Sequence, residues 1–307
     1  MLNILISFLV LAVSLEAKIL DFDIRPKGYN SSKYMGINIL DSKEFVFDKF
    51  DGFKVSELSA LAIQDKTLYV LSDRGYLFHF SFLVKDKKIK KFKPKKVFKL
   101  KNKKSKPLSA KNRDSEGMVI VDEKLLISFE RKPRVESFSL KARKIKKHKI
   151  HKDLQKIKNY RSKNKALEAL AYSEKYGLIT APELPLISES KEFHMLYSKD
   201  KRWSFKANGS ITALEFMDKN NMLVLERSFD KTTRRRVITI SKVYLDGCSN
   251  GVCNSEVLAN LDSKDGWNID NFEGLTKLSK SRYLMISDDN DSAFQKTLLV
   301  LFEVLDN

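Results

Sequence analysis

Cysteine is nearly absent from this sequence, with Cys248 and Cys253 the only two in 307 residues. That scarcity rules out a disulfide-scaffold miniprotein, and two thiols with four residues between them do not supply the four ligands of a structural zinc site. Histidine is scarce too: His79, His148, His151 and His194 are the only imidazoles. A lone histidine on a strand is more often packed or surface-exposed than catalytic, which disfavours a serine-histidine esterase. There is no His-Glu-x-x-His pair and no phosphate-binding glycine loop. Long apolar runs are missing as well. The longest, Ile4 to Val13, is about half of the roughly 20 residues that span a bilayer, so the mature chain is expected to have no transmembrane span.

Charge, by contrast, is abundant and one-sided. Against 39 acidic residues stand 58 basic ones, a formal net charge of +19 that favours polyanionic partners. With 42% hydrophobic and 32% charged residues the chain can bury a substantial core, so it is no disordered tail. The lysine run from Lys85 to Lys106 is interleaved with Ile89, Phe92, Val97, Phe98 and Leu100. That pattern reads as an outer edge strand whose charges discourage sheet-to-sheet aggregation. Its rival reading is a polyanion patch shared with the segment from Lys141 to Lys165.

The first 17 residues, MLNILISFLVLAVSLEA, join a short apolar core to Ala17, a small residue suited to a cleavage site. They read as a secretory signal, leaving residues 18–307 as one periplasmic or secreted domain, expected to be a monomer. An uncleaved anchor is the alternative, since no basic residue precedes the apolar core. In an oxidising compartment CSNGVC, built around an Asn-Gly turn, reads as a disulfide that staples a hairpin through Cys248 and Cys253.

Internal repetition is the strongest signal. Five segments share a two-strand pattern: ELSALAI with LYVLSDRG, DSEGMVI with LLISFER, ALEALAY with LITAPE, SITALEF with MLVLERS, and NFEGLTKL with YLMISDDND. Each begins at a small residue: Ala60, Gly117, Ala169, Ala213 or Gly274. Each reaches an acid 13 or 14 positions later: Asp73, Glu130, Glu183, Glu226 or Asp288. The small residues lie 57, 52, 44 and 61 apart, which suits one four-stranded sheet per repeat. Short strands broken by Asp, Asn, Gly and Lys predict an all-β fold, a β-propeller of five or six blades. Residues 18–50 could close the ring against TLLVLFEV or form a sixth blade. Ile150, Leu154 and Ile157 recur at helical spacing, so a short helix is predicted between the second and third repeats.

These repeat strings resemble the phytase-like family, the domain described as "esterase-like activity of phytase", in order and over nearly all of the mature chain. The resemblance implies an exported bacterial β-propeller related in architecture to calcium-dependent propeller phytases. Ala60, Ala169 and Ala213 depart from it where Gly is common, as does Thr212 where other repeats have Glu.

The acidic positions stand independently of that resemblance. Glu116, Glu168 and Glu273 each precede the small residue of their repeat, with Ser59 and Thr212 in the other two. A second ring is Asp73, Glu130, Glu183, Glu226 and Asp288, extended by Asp289 and Asp291. Two carboxylates about 4 Å apart repel by roughly 4 kcal/mol at an effective dielectric near 20, so a converging ring needs cations, arginines or protonation. Arg74, Arg131 and Arg227 each follow a ring acid, but neighbours on a strand point to opposite faces and need not neutralise one another. Ca²⁺, which takes six to eight oxygen ligands, is the cation such a set favours, with SDDNDS the best single segment. The other reading is that these acids cap strand ends.

Two functions follow. One is a calcium-dependent phosphoric ester hydrolase in which Glu130, Glu226, Arg74, Arg131 and Arg227 act on a small phosphorylated or ester substrate, the three arginines holding it. The other is a non-catalytic envelope propeller that binds a protein or an acidic envelope ligand. Nucleic acid is not expected as a partner of an exported chain without a stacking platform among its basic residues.

Overall fold

The computed structural model describes residues 18–47 and 49–305, so the export signal expected over residues 1–17 lies outside the described residues. Strands β1 (Lys18–Asp21), β2 (Lys33–Tyr34) and β3 (Ile37–Val46) open the chain. A short ribbon of β4 (Lys49–Phe50) and β5 (Phe53–Lys54) follows. Blade 1 is β6 (Leu58–Gln64), β7 (Thr67–Ser72), β8 (Tyr76–Lys85) and β9 (Lys88–Lys99). Blade 2 is β10 (Ser115–Val121), β11 (Lys124–Phe129), β12 (Arg134–Ser139) and β13 (Lys144–His148). Blade 3 is β14 (Leu167–Ser173), β15 (Gly177–Pro182), β16 (Phe193–Tyr197) and β17 (Arg202–Lys206). Blade 4 is β18 (Ser210–Phe216), β19 (Asn221–Phe229), β20 (Arg236–Ser249) and β21 (Val252–Asp262). Its outer strand meets that of blade 3 through a parallel bridge, Ser204 to Val252.

Blade 5 decides the blade number. Strands β22 (Asn271–Lys277), β23 (Arg282–Asp288) and β24 (Leu298–Val304) supply three strands, and β3 from the other end of the chain is the fourth. It pairs antiparallel with β24 from Leu298 opposite Glu44 to Val304 opposite Ile37. Residues 37–46 therefore close the ring instead of starting a sixth blade. The innermost strands β6, β10, β14, β18 and β22 touch in that cyclic order, and β22 returns to β6.

Strand alternation explains why both faces of each blade are buried. On β7, Leu68 and Val70 pack towards blade 5, whereas Tyr69 and Leu71 pack towards blade 2. Five apolar clusters result, one between each pair of neighbouring blades. Side chains such as Phe78, Phe129, Phe205, Phe272 and Phe302 are fully buried there. Each contributes about 1.5–3 kcal/mol by leaving water.

The small residues at the repeat starts have a local cause. Every innermost strand slips register at the same place: between Leu58 and Ala60, Ser115 and Met118, Leu167 and Ala169, Ile211 and Ala213, and Phe272 and Gly274. These are β-bulges, which re-aim one side chain per strand. Neighbouring backbones pass so close that a Cβ on Gly117 would sit 2.9 Å from the Glu168 carbonyl oxygen, and one on Gly274 3.2 Å from the Ala60 backbone.

The predicted short helix is not formed. Residues 152–155 and 157–159 are two 3₁₀ turns separated by the extended Lys156, and no α-helix occurs among the described residues. Local side chains take the backbone groups a helix would use: His151 Nδ1 accepts from Asp153 N, Asn159 Nδ2 donates to the Asp153 carbonyl, and Tyr160 Oη donates to that of Leu154. The apolar spacing survives because Ile150 and Leu154 are buried against blades 2 and 3. His151 is buried with them, despite the lysines around it.

Cys248 and Cys253 form a disulfide across the β20–β21 hairpin. Asn250 and Gly251, with φ of 51° and 80°, make the left-handed two-residue turn that Asn-Gly favours.

Candidate functional site

The bulges place Ser59, Glu116, Glu168, Thr212 and Glu273 at one level of the central channel, and their fates diverge. Ser59 Oγ donates to the Ser115 carbonyl at 2.8 Å, and Thr212 Oγ1 to the Leu225 carbonyl at 3.4 Å, so blades 1 and 4 are spent on backbone. The Glu116 and Glu168 carboxylates have no hydrogen bond or ion pair among the described residues, although Glu168 is only 6% exposed. Glu273 accepts from Asn271 Nδ2 at 2.7 Å and from Arg227 Nη1 at 2.9 Å.

The second ring stands just above, where the second strand of each blade ends. Glu130 accepts from Ala166 N at 3.2 Å. Glu183 pairs with Lys165 at 2.5 Å and Arg227 at 3.4 Å. The Asp73 Oδ1 atom is buried without a hydrogen-bond partner, and Asp288 accepts from Asn290 N at 2.8 Å. Glu226 does not join this group. It is fully buried beside blade 3, accepting from Asn208 N at 2.7 Å and Ser241 Oγ at 3.0 Å, with His194 Nε2 3.3 Å away. Asp289 accepts from Glu57 N at 3.0 Å and Asp291 N at 3.1 Å, and Asp291 pairs with Lys54 and Arg74. The SDDNDS segment is thus largely tied down by its own loop and by blade 1.

Two carboxylate triplets emerge: Asp114, Glu116 and Glu130, and Glu130, Glu168 and Glu183. Within each, one oxygen per residue lies within 4.8 Å of the others. Glu130 belongs to both. Asp114 was missed in the sequence, yet Asp114-Ser-Glu116 has the spacing that places two side chains on one face of an extended strand.

Crowding acids out of water raises their proton affinity. Burial, then Asp114 and Glu273, push Asp73 up to about 7. Burial also lifts Glu130 to about 8, partly offset by the Ala166 N–H and reinforced by Asp114 and Glu183. Asp288 rises to about 9 through burial and then Glu273. Burial and neighbouring glutamates drive Glu116 and Glu168 well above the usual carboxylate range. Glu273 rises less, because Arg227 opposes its burial.

None of the three expected arginines pairs with the acid preceding it. Arg74 pairs with Glu57 and Asp291, Arg131 with Asp114 at 2.8 Å, and Arg227 with Glu273 and Glu183. Blade 4 therefore presents Arg227 to the channel where other blades present acids. Arg227 also lines a cleft of about 780 Å³ with Lys165, Lys231, Arg234, Arg236 and Asn271. Cationic cleft and acidic channel meet at Arg227 and Lys165.

Carboxylates without thiol or imidazole partners are a donor set for a hard cation such as Ca²⁺. The unpartnered Glu168 and Glu116 are the free ligands such an ion requires. An esterase nucleophile is not built here. Gly247-Cys248-Ser249-Asn250-Gly251 has the spacing of a nucleophile elbow, but it forms the disulfide-stapled β-hairpin turn, with no helix following it.

Fold and site together define a five-bladed β-propeller with a one-sided acidic channel. The family model described as "Phytase-like: Esterase-like activity of phytase" matches residues 54–291, and the chain belongs to that family. No curated relative matches the sequence. Among solved structures, glutaminyl cyclase from Myxococcus xanthus is similar at TM-score 0.51 and 10% identity, covering 88% of this chain and 97% of that one. The PQQ-bound aldose sugar dehydrogenase from Streptomyces coelicolor gives TM-score 0.47 and 8% identity, over 91% and 99%. At 10% identity the likeness to the cyclase is one of fold alone.

Proposed function

We propose that this is an exported, calcium-dependent phosphoric ester hydrolase whose site is the acidic channel beside the Arg227 cleft. One observation carries the reading: a carboxylate cluster, Glu116 and Glu168 in it unpartnered among the described residues, opens next to a cationic cleft, and Arg227 and Lys165 belong to both. A phosphorylated substrate needs both halves.

Asp114, Glu116, Glu130, Glu168 and Glu183 would hold the cation, which when bound polarises phosphate and lowers the pKa of water. The chain's own residues do the rest. Arg227, fixed by Glu273 and Glu183, offers its remaining N–H groups to phosphate oxygens, and Lys231, Arg234 and Arg236 neutralise further charge. Arg131, more than half exposed and paired with Asp114 at the acidic cluster on the blade 2 side, would add a further cation for the substrate. Glu130, oriented by the Ala166 N–H, is protonated near neutrality without the cation; in the loaded site it would be an ionised ligand whose second oxygen can take a proton from attacking water and return it to the leaving oxygen as the phosphate ester bond breaks. Glu226 supports the wall and touches no substrate.

Calorimetric titration of chelator-treated protein with Ca²⁺ tests this, with turnover of a phosphomonoester, phytate and a short-chain ester followed in the same samples. Saturable heat with Ca²⁺-dependent phosphate release, lost in Glu130→Gln, supports the hydrolase. Binding without turnover moves the reading to a cation-stabilised envelope propeller. A folded sample with neither heat nor turnover ends it.

A further inference from the structure

Two segments account for the net basic excess of this chain. Residues 85–106 hold 13 lysines and one acid, and residues 141–165 hold 12 basic residues and one acid. Of 58 basic and 39 acidic residues, these two segments take 25 and two, so the remaining chain has 33 against 37 and is net negative. Outside the two segments the other basic cluster is Arg227, Lys231, Arg234 and Arg236 at the channel cleft, with Arg235 beside them in sequence.

The fold joins the two segments. Strand β9 is the outermost strand of blade 1 and β13 that of blade 2. Between them, Lys101 N donates to the Ala142 carbonyl at 2.8 Å and Lys144 N to the Lys101 carbonyl at 2.9 Å. The outer edges of both blades form one flank. Lys90, Lys91, Lys93, Lys95, Lys96, Lys103, Lys104, Lys146, Lys147 and Lys149 are all exposed along it.

Protection of bare strand edges explains the lysines on β9 and β13. It does not explain Lys103, Lys104 and Lys106, or Lys149, Lys152, Lys156 and Lys158, which lie beyond the strands. Near the end of β13 the flank opens into a cleft of about 780 Å³, lined by Lys147, His148, Lys149, His151 and Lys152, with Lys199 paired at 3.4 Å to Asp200 on its rim. Among the described residues, Lys147, Lys149 and Lys152 have no ion-pair partner. Asp153 is engaged by His151 at 3.4 Å and Arg202 at 3.6 Å.

We infer that this flank binds a linear polyanion, an acidic polymer of closely spaced charges, with the His148–Lys199 cleft seating part of its length. The reading goes beyond the hydrolase proposal and does not depend on it. Lysine in place of arginine is informative: 23 of the 25 basic residues are Lys, point charges that suit repeated anions without fixed bidentate geometry. A flat lipid leaflet fits less well. A polymer segment enters the concave cleft and a planar leaflet does not, and the two segments expose no aromatic side chain for insertion.

Binding of fluorescent long-chain polyphosphate, heparin, and phosphatidylcholine vesicles containing phosphatidylglycerol tests the inference, using metal-free protein. Release of counterions predicts at least about a tenfold loss of polymer affinity between about 50 and 200 mM salt. The variant Lys146→Glu/Lys147→Glu/Lys149→Glu is expected to bind about tenfold more weakly or worse, while the charge-matched Lys219→Glu/Lys264→Glu/Lys280→Glu stays within about twofold. If the first variant fails to fold, Lys149→Ala/Lys152→Ala reads the same loss. Tighter binding of polyphosphate than heparin identifies phosphate as the recognised charge, and the reverse identifies sulfated or carboxylated sugar. No polymer binding at low salt, equal loss in both variants, or vesicles bound in preference to both polymers would overturn it. Ca²⁺ binding and turnover are read separately, so failure here leaves the channel proposal standing.

Discussion

Removing the charge of Glu130 should flatten the pH dependence of stability in the metal-free protein. Its carboxyl is held at about 8 in the fold, against an ordinary value of 4.5. A group raised in this way stabilises the fold when protonated, fully below its unfolded pKa, and that stability is lost as pH rises through the folded value. From the two values, ionising Glu130 costs about 3 kcal/mol of stability between pH 5 and pH 8. Asp73 and Asp288, raised to about 7 and about 9, act in the same direction and make the wild-type slope steeper. Urea denaturation of chelator-treated protein at pH 5, 6, 7 and 8 measures it. The wild type is expected to weaken steadily, and Glu130→Gln, which does not ionise, to weaken by about 3 kcal/mol less. Saturating Ca²⁺ should restore wild-type stability at pH 8 by binding the ionised form. A flat or rising wild-type profile, or an unchanged slope in Glu130→Gln, would refute the electrostatic description of the channel.

Glu226→Ala strands the Asn208 and Ser241 donors in a dry wall. It is expected to cost about 3 kcal/mol in urea while leaving calorimetric Ca²⁺ affinity unchanged, and Glu226→Gln should recover most of the loss. Gly117→Val forces its side chain against the Glu168 carbonyl and Ser128 Oγ, both 2.9 Å from the first added carbon. A loss of at least about 2 kcal/mol by thermal melting is expected. The pair Cys248→Ser and Cys253→Ser opens a six-residue loop and should lower stability by about 2 kcal/mol in non-reducing urea, with no change in turnover.

The periodic parts of the fold were readable because they are local. Each repeat carries its own bulge and small residue, so Ala60, Gly117, Ala169, Ala213 and Gly274 mark five inner strands directly. Blade number was not local. It depends on β3 pairing with β24, and residues 18–50 carry the same pattern whether they close a ring or begin a blade. The site shows the same division. Glu116, Glu168 and Glu273 follow from repeat position, and the independence of each arginine from its preceding acid follows from strand geometry. Glu130 and Glu226 occupy equivalent places in sequence, yet Asn208, Ser241 and His194, from elsewhere in blades 3 and 4, draw Glu226 out of the channel. No periodicity records that. Asp114 was legible two residues ahead of Glu116 but stood outside the repeat register. At Ile150, Leu154 and Ile157 burial was readable and helix was not, because side-chain hydrogen bonds capture the backbone first.

The clasp between β3 and β24 sets a schedule for the molecule's birth. Val300 lies opposite Ser42, a separation of 258 residues, so the last blade stays incomplete until the final strand has emerged. Until then β3 has an unfilled edge and the cores on either side of blade 5 stand open to water. Such distant pairing is slow to find and exposes apolar surface while it is sought. A chain built this way holds its ring open throughout synthesis and locks it shut only when β24 meets β3.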